Sequence, residues 1–368
     1  MDNLFVGCAL SDVNDADLPT GLRVPERLVD YVTRFQKRVG TADFSFELQP
    51  EDAWAVPARF PDQFVERKTN RWWRVFRQNA HLLDLFRATA GPLGVHQPIR
   101  GRDVLSSNFF EKYRAIAETQ QAMAFAHFIH ADYFVFHLAM ADRWAWDRRD
   151  QIAKALKILG VFHAFYHASD FNFVPCIELL EYPKFPAIGG ESRELISECR
   201  EIWPEVQFAF DVSHLWGSRL RMMAAHEWEF KSQAPVPFAD ALEYALEQTW
   251  QDIYVVHLGG CWESETHAVP GLHPQQDPFQ YPLRLRESPG VYLEVGEMNL
   301  NRTLDLLLDC TMRRGRPLNL MLEIFDRDIE QVLEAIRQIR DDLAIRVQTP
   351  PKRTKRPRGN SGAGEDGH

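Results

Sequence analysis

Residues 206–215 read VQFAFDVSHL: a short apolar run that ends in an acid, Asp211, with a histidine, His214, three positions on. The same form recurs along the chain. GVHQP (94–98) carries His96, YFVFHLA (133–139) His137, VPCIELLE (174–181) Glu178, IYVVHLGG (253–260) His257 and LNLMLEIF (318–325) Glu323. An ETH tripeptide just after the His257 run adds Glu265 and His267. Short, nearly continuous apolar runs read as strands buried on both faces, the kind a parallel sheet uses. Metal-binding side chains at the C-terminal ends of successive strands are the sequence form of an active site at the mouth of a (β/α)8 barrel.

Eight such runs occur, at 3–10, 43–49, 92–97, 132–139, 173–180, 206–215, 252–260 and 318–325. Helix-period segments separate or follow them, at 25–39, 77–90, 109–129, 148–168, 192–203, 238–250, 301–315 and 329–343. Strands alternating with helices imply a parallel sheet, and eight repeats imply closure. The expected fold is therefore α/β, a single TIM barrel over residues 1–347. A loop follows the seventh strand: residues 261–295 hold five prolines and little periodicity. Loops of that length in a compact domain are usually functional or disordered. The tail 348–368, rich in Pro, Lys, Arg and Gly, is expected to be disordered; its KRTKRPR run reads as a solvated segment.

Bulk composition narrows the partners. The 368 residues carry a net charge of -10, which offers no general attraction to nucleic acid or to acidic membranes. Five cysteines, Cys8, Cys176, Cys199, Cys261 and Cys310, form no CxxC pair. That usage suits a reducing cytoplasm and neither a disulfide framework nor a zinc ribbon. The first residues, MDNLFVGCALSDVNDAD, are acidic and do not form a signal peptide. The most apolar stretch, residues 122–141, is interrupted by His127, His130 and Asp132. It reads as a buried helix and strand, not as a membrane span.

Taken singly, each ligand candidate has an ordinary explanation: a core histidine with a hydrogen bond, or a glutamate that caps a helix. The joint pattern does not. In a parallel barrel all strand C-termini converge, so Glu178, Asp211, Glu265 and Glu323 share one cavity. Clustered buried carboxylates must hold extra protons or cations. Two to three divalent ions offset four carboxylates, and five imidazoles suit zinc, manganese or iron. Other histidines lack such support. His163 and His167 form HAFYH, without the glutamate of an HExxH site. His127 and His130 are expected to pack. Aromatics follow the strands: Trp144, Trp146, Tyr182, Phe185, Trp216 and Trp262 are placed either to stack on a substrate ring or to roof the barrel. Trp72 and Trp73, in a helix-like stretch, are expected to pack.

At these residues the chain resembles the xylose-isomerase-like TIM barrel superfamily, and within it most closely the endonuclease IV family. The resemblance spans roughly residues 91–325 and rests on PLGVHQP, FVFHLA, CIELLE, FDVSHLWGS, VVHLGG, GEMNLNRTLDLL and LMLEIF in that order. The Asp-x-x-His turn in FDVSHLWGS is the most specific piece. The resemblance implies a three-metal centre of His96, His137, Glu178, Asp211, His214, His257, an Asp-x-His pair and Glu323. At the pair this chain offers Glu265 and His267, with His273 competing. It also departs from the endonucleases after His96, where QPI stands in place of a DNA-entering aromatic, and after His257, where GG stands in place of a polar pair.

The ligand count places metal-assisted phosphoester hydrolysis first. Glu178 and Glu323 would hold metals, Asp211 would orient the nucleophile, and Arg143, Arg219 and Arg221 would clamp phosphate. Trp216, Trp262 and His273 complete the expected substrate contacts. The alternative is a sugar isomerase or epimerase. It needs only Glu178, Asp211, His257 and Glu323, with the two glutamates as acid and base beside a metal-bound carbonyl. A multinuclear iron oxidase is a further option. The expected partner is a sugar or phosphoester, with nucleic acid less favoured and no membrane.

Overall fold

The structure, a computed structural model, describes residues 4–11, 24–39, 44–51, 71–88, 91–99, 103–139, 148–182, 184–224, 238–259, 261–264, 284–287, 299–315, 317–323 and 329–348. In chain order the first elements are β1 (Leu4–Ser11), α1 (Val24–Val39), β2 (Phe44–Gln49), α2 (Arg71–Gln78), α3 (His81–Arg87), β3 (Leu93–His96), α4 (Phe109–Phe128) and β4 (Tyr133–Phe136). The middle of the chain forms α5 (Arg148–Ala168), β5 (Val174–Glu178), α6 (Gly189–Ile202), β6 (Gln207–Asp211), α7 (Val212–Ala224), α8 (Phe238–Thr249) and β7 (Ile253–Leu258). Then come β8 (Cys261–Ser264), β9 (Arg284–Glu287), α9 (Leu300–Arg314), β10 (Leu318–Leu322) and α10 (Ile329–Gln348).

Eight strands close into a barrel in the order β1-β10-β7-β6-β5-β4-β3-β2, with every neighbouring pair parallel. At least one helix follows each, so the chain is a (β/α)8 barrel. Every expected strand is present, and seven of the eight begin and end within three residues of the expected positions.

Strand alternation decides which side chains enter the barrel. Phe134 and Phe136 on β4, Ile177 on β5, Phe208 and Phe210 on β6, Val256 and Leu258 on β7, and Leu320 and Leu322 on β10 join the large core between sheet and helices. Their neighbours of opposite parity, Tyr133, Val135, Cys176, Ala209, Val255 and Met321, form a separate small core inside the barrel. Two residues further along each inward row come His137, Glu178, Asp211, His257 and Glu323. One parity thus supplies first the apolar floor and then the polar mouth of the lumen.

Several expectations need correction. The sixth strand stops at Asp211 and not at residue 215, because α7 begins at Val212. Val212 and Leu215 are both buried and continue the apolar run across the junction, which hid it. His214 is therefore on the first turn of a helix. The loop after β7 contains an antiparallel pair, β8 with β9, that periodicity did not reveal. His130 is exposed at positive φ (57°) just past α4, while His127 is partly buried and lies against Phe171. Trp72 is fully buried on α2 and Trp73 packs on Phe125 and Phe128, as expected of packing residues. Gln348, the first residue assigned to the tail, is the last of α10, and residues 349–368 lie outside those described. Among the described residues no helix is long and apolar enough to cross a membrane.

Gly94 shows how tight the lumen is. It pairs with Tyr133 across β3 and β4, and a Cβ at this position would collide with the phenol end of the Tyr133 side chain. Gly160, inside α5, would only bring a Cβ to 3.8 Å from Ile202. Gly94→Ala is expected to destabilise the fold by about 1–3 kcal/mol through overpacking. Gly160→Ala is expected to be neutral or to stabilise by about 0.5–1 kcal/mol. Urea denaturation of the two variants against the parent checks both signs.

Candidate metal centre

The site is built around Glu178, the last residue of β5. Its Oε2 lies 2.9 Å from His96 Nε2 and in direct contact with His137 Nε2. Its Oε1 lies 2.8 Å from His257 Nδ1. The two imidazoles on Oε2 are themselves 3.1 Å apart, nitrogen to nitrogen. On the other side of Glu178, His257 Nδ1 is 3.5 Å from Glu323 Oε1 and 4.0 Å from Asp211 Oδ2. Two groups of ligand atoms result, each with all atoms within 4.8 Å of one another: His96, His137 and Glu178, and Glu178, Asp211, His257 and Glu323. Glu178 belongs to both.

Asp211 has two tasks. Its Oδ1 accepts the backbone N–H of His214 at 2.6 Å, so it caps the N-terminus of α7. That bond turns His214 toward the cluster, where Nδ1 is 3.7 Å from Asp211 Oδ2 and 2.9 Å from the Leu179 carbonyl oxygen. Asp211 Oδ2 is buried with no hydrogen-bond partner among the described residues. The spacing of the Asp-x-x-His turn is thus the spacing of a helix cap.

Outer contacts orient the rings. The His96 Nδ1 lies 2.7 Å from the carbonyl oxygen of Gln97, and the Gln97 side chain accepts the backbone N–H of His137 at 3.0 Å. His257 Nε2 lies 3.0 Å from Glu47 Oε2. Imidazoles that bind metals commonly give their second N–H to a carbonyl or carboxylate in this way.

Glu47 is fully buried and was not among the expected site residues. The signal was present. In FSFELQ (44–49), Phe46 and Leu48 alternate with Ser45, Glu47 and Gln49. In a barrel covered by helices, the polar parity of such a strand has only the lumen to enter. Gln49 Nε2 donates to Glu47 Oε1 at 3.2 Å and to Glu323 Oε1 at 2.7 Å. Tyr133 Oη donates to Glu47 Oε2 at 3.0 Å.

Charge is crowded here. Burial by itself would raise the Glu178 carboxyl, yet the imidazoles of His137, His257 and His96 hold it well below its usual range. Burial pushes Asp211 well up, helped by the charges of Glu323 and Glu178. For His257, burial favours the neutral ring, but Glu47, Glu323 and Glu178 outweigh it and raise the group well above its usual value. His96 and His137 face one oxygen and diverge. Burial opposes charge on both; Glu178 and Glu47 carry His96 up to about 9, whereas His137 falls to about 3 beside it. Positive charge on His96 opposes charge on His137 beside it. The shifts of His96, His257 and Asp211 all favour added positive charge among the carboxylates. The donor set, imidazole and carboxylate with an Asp211 oxygen and a buried His137 Nδ1 that lack partners among the described residues, fits a divalent transition ion.

The remaining expected residues divide. Trp216 is buried in the outer core, and Arg219 is buried with its guanidinium over the Phe238 ring at 6.0 Å. Tyr182 and Phe185 are buried, and Arg148 lies over both rings. Glu265, His267, His273, Arg143, Trp144 and Trp146 lie outside the described residues, as do the side chains of Trp262 and Arg221.

No protein-family model matches the chain, and no curated protein matches it in sequence. Solved structures do match. An L-ribulose 3-epimerase superposes with a TM-score of 0.55 at 13% identity, over 95% of this chain and 96% of that one. A D-psicose 3-epimerase with D-tagatose from Clostridium cellulolyticum H10 gives 0.53 at 11%, over 93% and 99%. The apo 3-keto-D-glucoside 4-epimerase from E. coli gives 0.51 at 12%, over 92% and 99%. The fold is shared with sugar epimerases. At these identities the likeness is one of fold.

Protein expressed with manganese, iron or zinc in excess is expected to retain at least one transition ion per chain after desalting. Chelation should then lower the melting temperature by roughly 5 °C, since a ligand at 100 times its Kd stabilises by about 2.7 kcal/mol. Elemental analysis and paired thermal melts measure both. A metal-free protein with an unchanged melt would remove the centre.

Proposed function

We propose that the chain is a divalent-metal-dependent sugar isomerase or epimerase. Glu178, Asp211, His257 and Glu323 would hold the ion. The observation that carries the reading is that these four side chains, from the ends of β5, β6, β7 and β10, converge in one largely buried pocket. Several of the neighbours in fold are sugar epimerases, which supports this reading over the phosphoester hydrolysis that the ligand count alone placed first.

A bound divalent ion would polarise a sugar carbonyl and ease loss of the proton on the adjacent carbon. The chain's own groups would move that proton. Glu178, kept ionised by three imidazoles, is suited to accept it. Glu323 is the most open of the four groups, with its side chain 10% exposed, and is suited to deliver a proton from the other side. Burial of the remaining groups excludes water, so a carbanion-like intermediate is returned to sugar and not quenched at random.

One observation favours a second reading. His96 and His137 have no task in a single-ion isomerase, yet both reach Glu178. A second ion bridged through Glu178 would use them, and a two-metal centre is the usual equipment of phosphoester hydrolases.

Incubation of the metal-loaded protein with a ketose panel, followed by NMR, is the deciding assay, run beside nicking of DNA that carries an abasic site. Ketose conversion without nicking is expected, and nicking without conversion would replace this reading with the hydrolytic one. Glu178→Gln and Glu323→Gln should each lower kcat by roughly 10²–10⁴-fold, the usual worth of a general acid or base. Their circular dichroism should remain that of the parent.

A further inference from the structure

We propose that Glu47 is the positioning residue of the centre: it sets the orientation and tautomer of His257 and, through Gln49, the place of Glu323. The inference rests on the metal-centre reading above and extends it to a strand, β2, that supplies no ligand.

The geometry is a hydrogen-bonded chain. Glu47 is fully buried on the inward parity of β2. An ionised carboxylate only accepts hydrogen bonds. Without an ion, both ring nitrogens of His257 face a carboxylate, Nδ1 at 2.8 Å from Glu178 Oε1 and Nε2 at 3.0 Å from Glu47 Oε2; once an ion takes Nδ1, Nε2 carries the ring's proton and Glu47 accepts it. Nδ1 then turns its lone pair toward the space shared by Glu178, Asp211 and Glu323. Tyr133 Oη holds the same Glu47 oxygen from β4, so the acceptor cannot rotate away. The other oxygen receives Gln49 Nε2, and this amide also donates to Glu323 Oε1. Glu323 stands one residue beyond the end of β10, tied to β7 by a backbone bond from its N–H to the Leu258 carbonyl at 3.1 Å. Gln49 gives its carboxylate a second tether. One buried acid thereby orients two of the four groups that face the ion.

Binding of Mn²⁺, followed by electron paramagnetic resonance, and the visible absorption of the Co²⁺-loaded protein test this without any substrate. Three variants separate position from charge. Glu47→Gln keeps an oxygen in place for His257 and Tyr133 but is neutral. Glu47→Asp keeps the charge and withdraws the oxygen by one methylene. Glu47→Ala removes both. Affinity is expected to fall by roughly 10–100-fold in the Ala and Asp variants, the usual effect of losing an outer partner. Their Co²⁺ bands should shift. Glu47→Gln should recover most of the affinity and the parent spectrum.

An Asp variant that binds as the parent does while Gln fails would show that charge and not position matters, and would overturn the proposal. So would an Ala variant with parental affinity and spectrum. If Glu47→Ala does not fold, the order of Gln and Asp still decides. A parent protein that takes up neither ion would overturn the metal centre itself, and this inference with it.

Discussion

The carboxylate of Glu178 is held by three imidazoles, from β3, the end of β4 and β7, at the mouth of a closed barrel. Each of its oxygens is committed. Oε2 faces the His96 and His137 pair, and Oε1 faces His257. Burying an ion this completely is unfavourable unless its partners are placed well, because desolvation consumes most of the attraction. The strands set those partners by alternation: the parity that puts Cys176 under the floor of the lumen puts Glu178 above it. The arrangement of every other ligand is a response to this one buried charge.

The same crowding explains why the site points to cations. Glu47, Glu178, Asp211 and Glu323 stand close together, and no lysine or arginine among the described residues is paired with any of them. Imidazole protons take the part of counter-charge in their place. A divalent ion would relieve Asp211, whose Oδ2 lacks a donor among the described residues, and would supply the charge that His96 and His137 oppose in each other. Affinity for metal and stability of the fold are therefore two expressions of one electrostatic imbalance. The functional reading depends on which side of Glu178 does the chemistry. The carboxylate-rich side suits carbonyl chemistry on a sugar, and the histidine-rich side is what a second ion would need.

Much of this was legible before any coordinates. The strand runs at 133–139 and 174–181 could be read because parallel barrel strands are buried on both faces and stand out as apolar blocks. Their terminal His137 and Glu178 could be read because a charged or titratable group at the end of such a block has few structural uses. His214 was read as part of the set but on the wrong element. Val212 and Leu215 continue the apolar pattern, so strand and helix merge in one dimension. Glu47 escaped because it sits inside its strand and not at the end, flanked by serine and glutamine that look like surface residues.

The sequence by itself determined the barrel, the order of its strands and most of the groups at its mouth. These follow from local rules: the length of apolar runs, the period of the helices and the chemistry of imidazole and carboxylate. Tertiary structure decided how the groups divide the work. Only closure of the sheet, with β1 between β2 and β10, brings β2 within reach of β7 and β10, across 210 residues from Glu47 to His257 and 274 from Gln49 to Glu323. His257 lies between two carboxylates distant in the chain, Glu178 at 2.8 Å from Nδ1 and Glu47 at 3.0 Å from Nε2, because only the closed barrel sets β5 and β2 on the two sides of its ring.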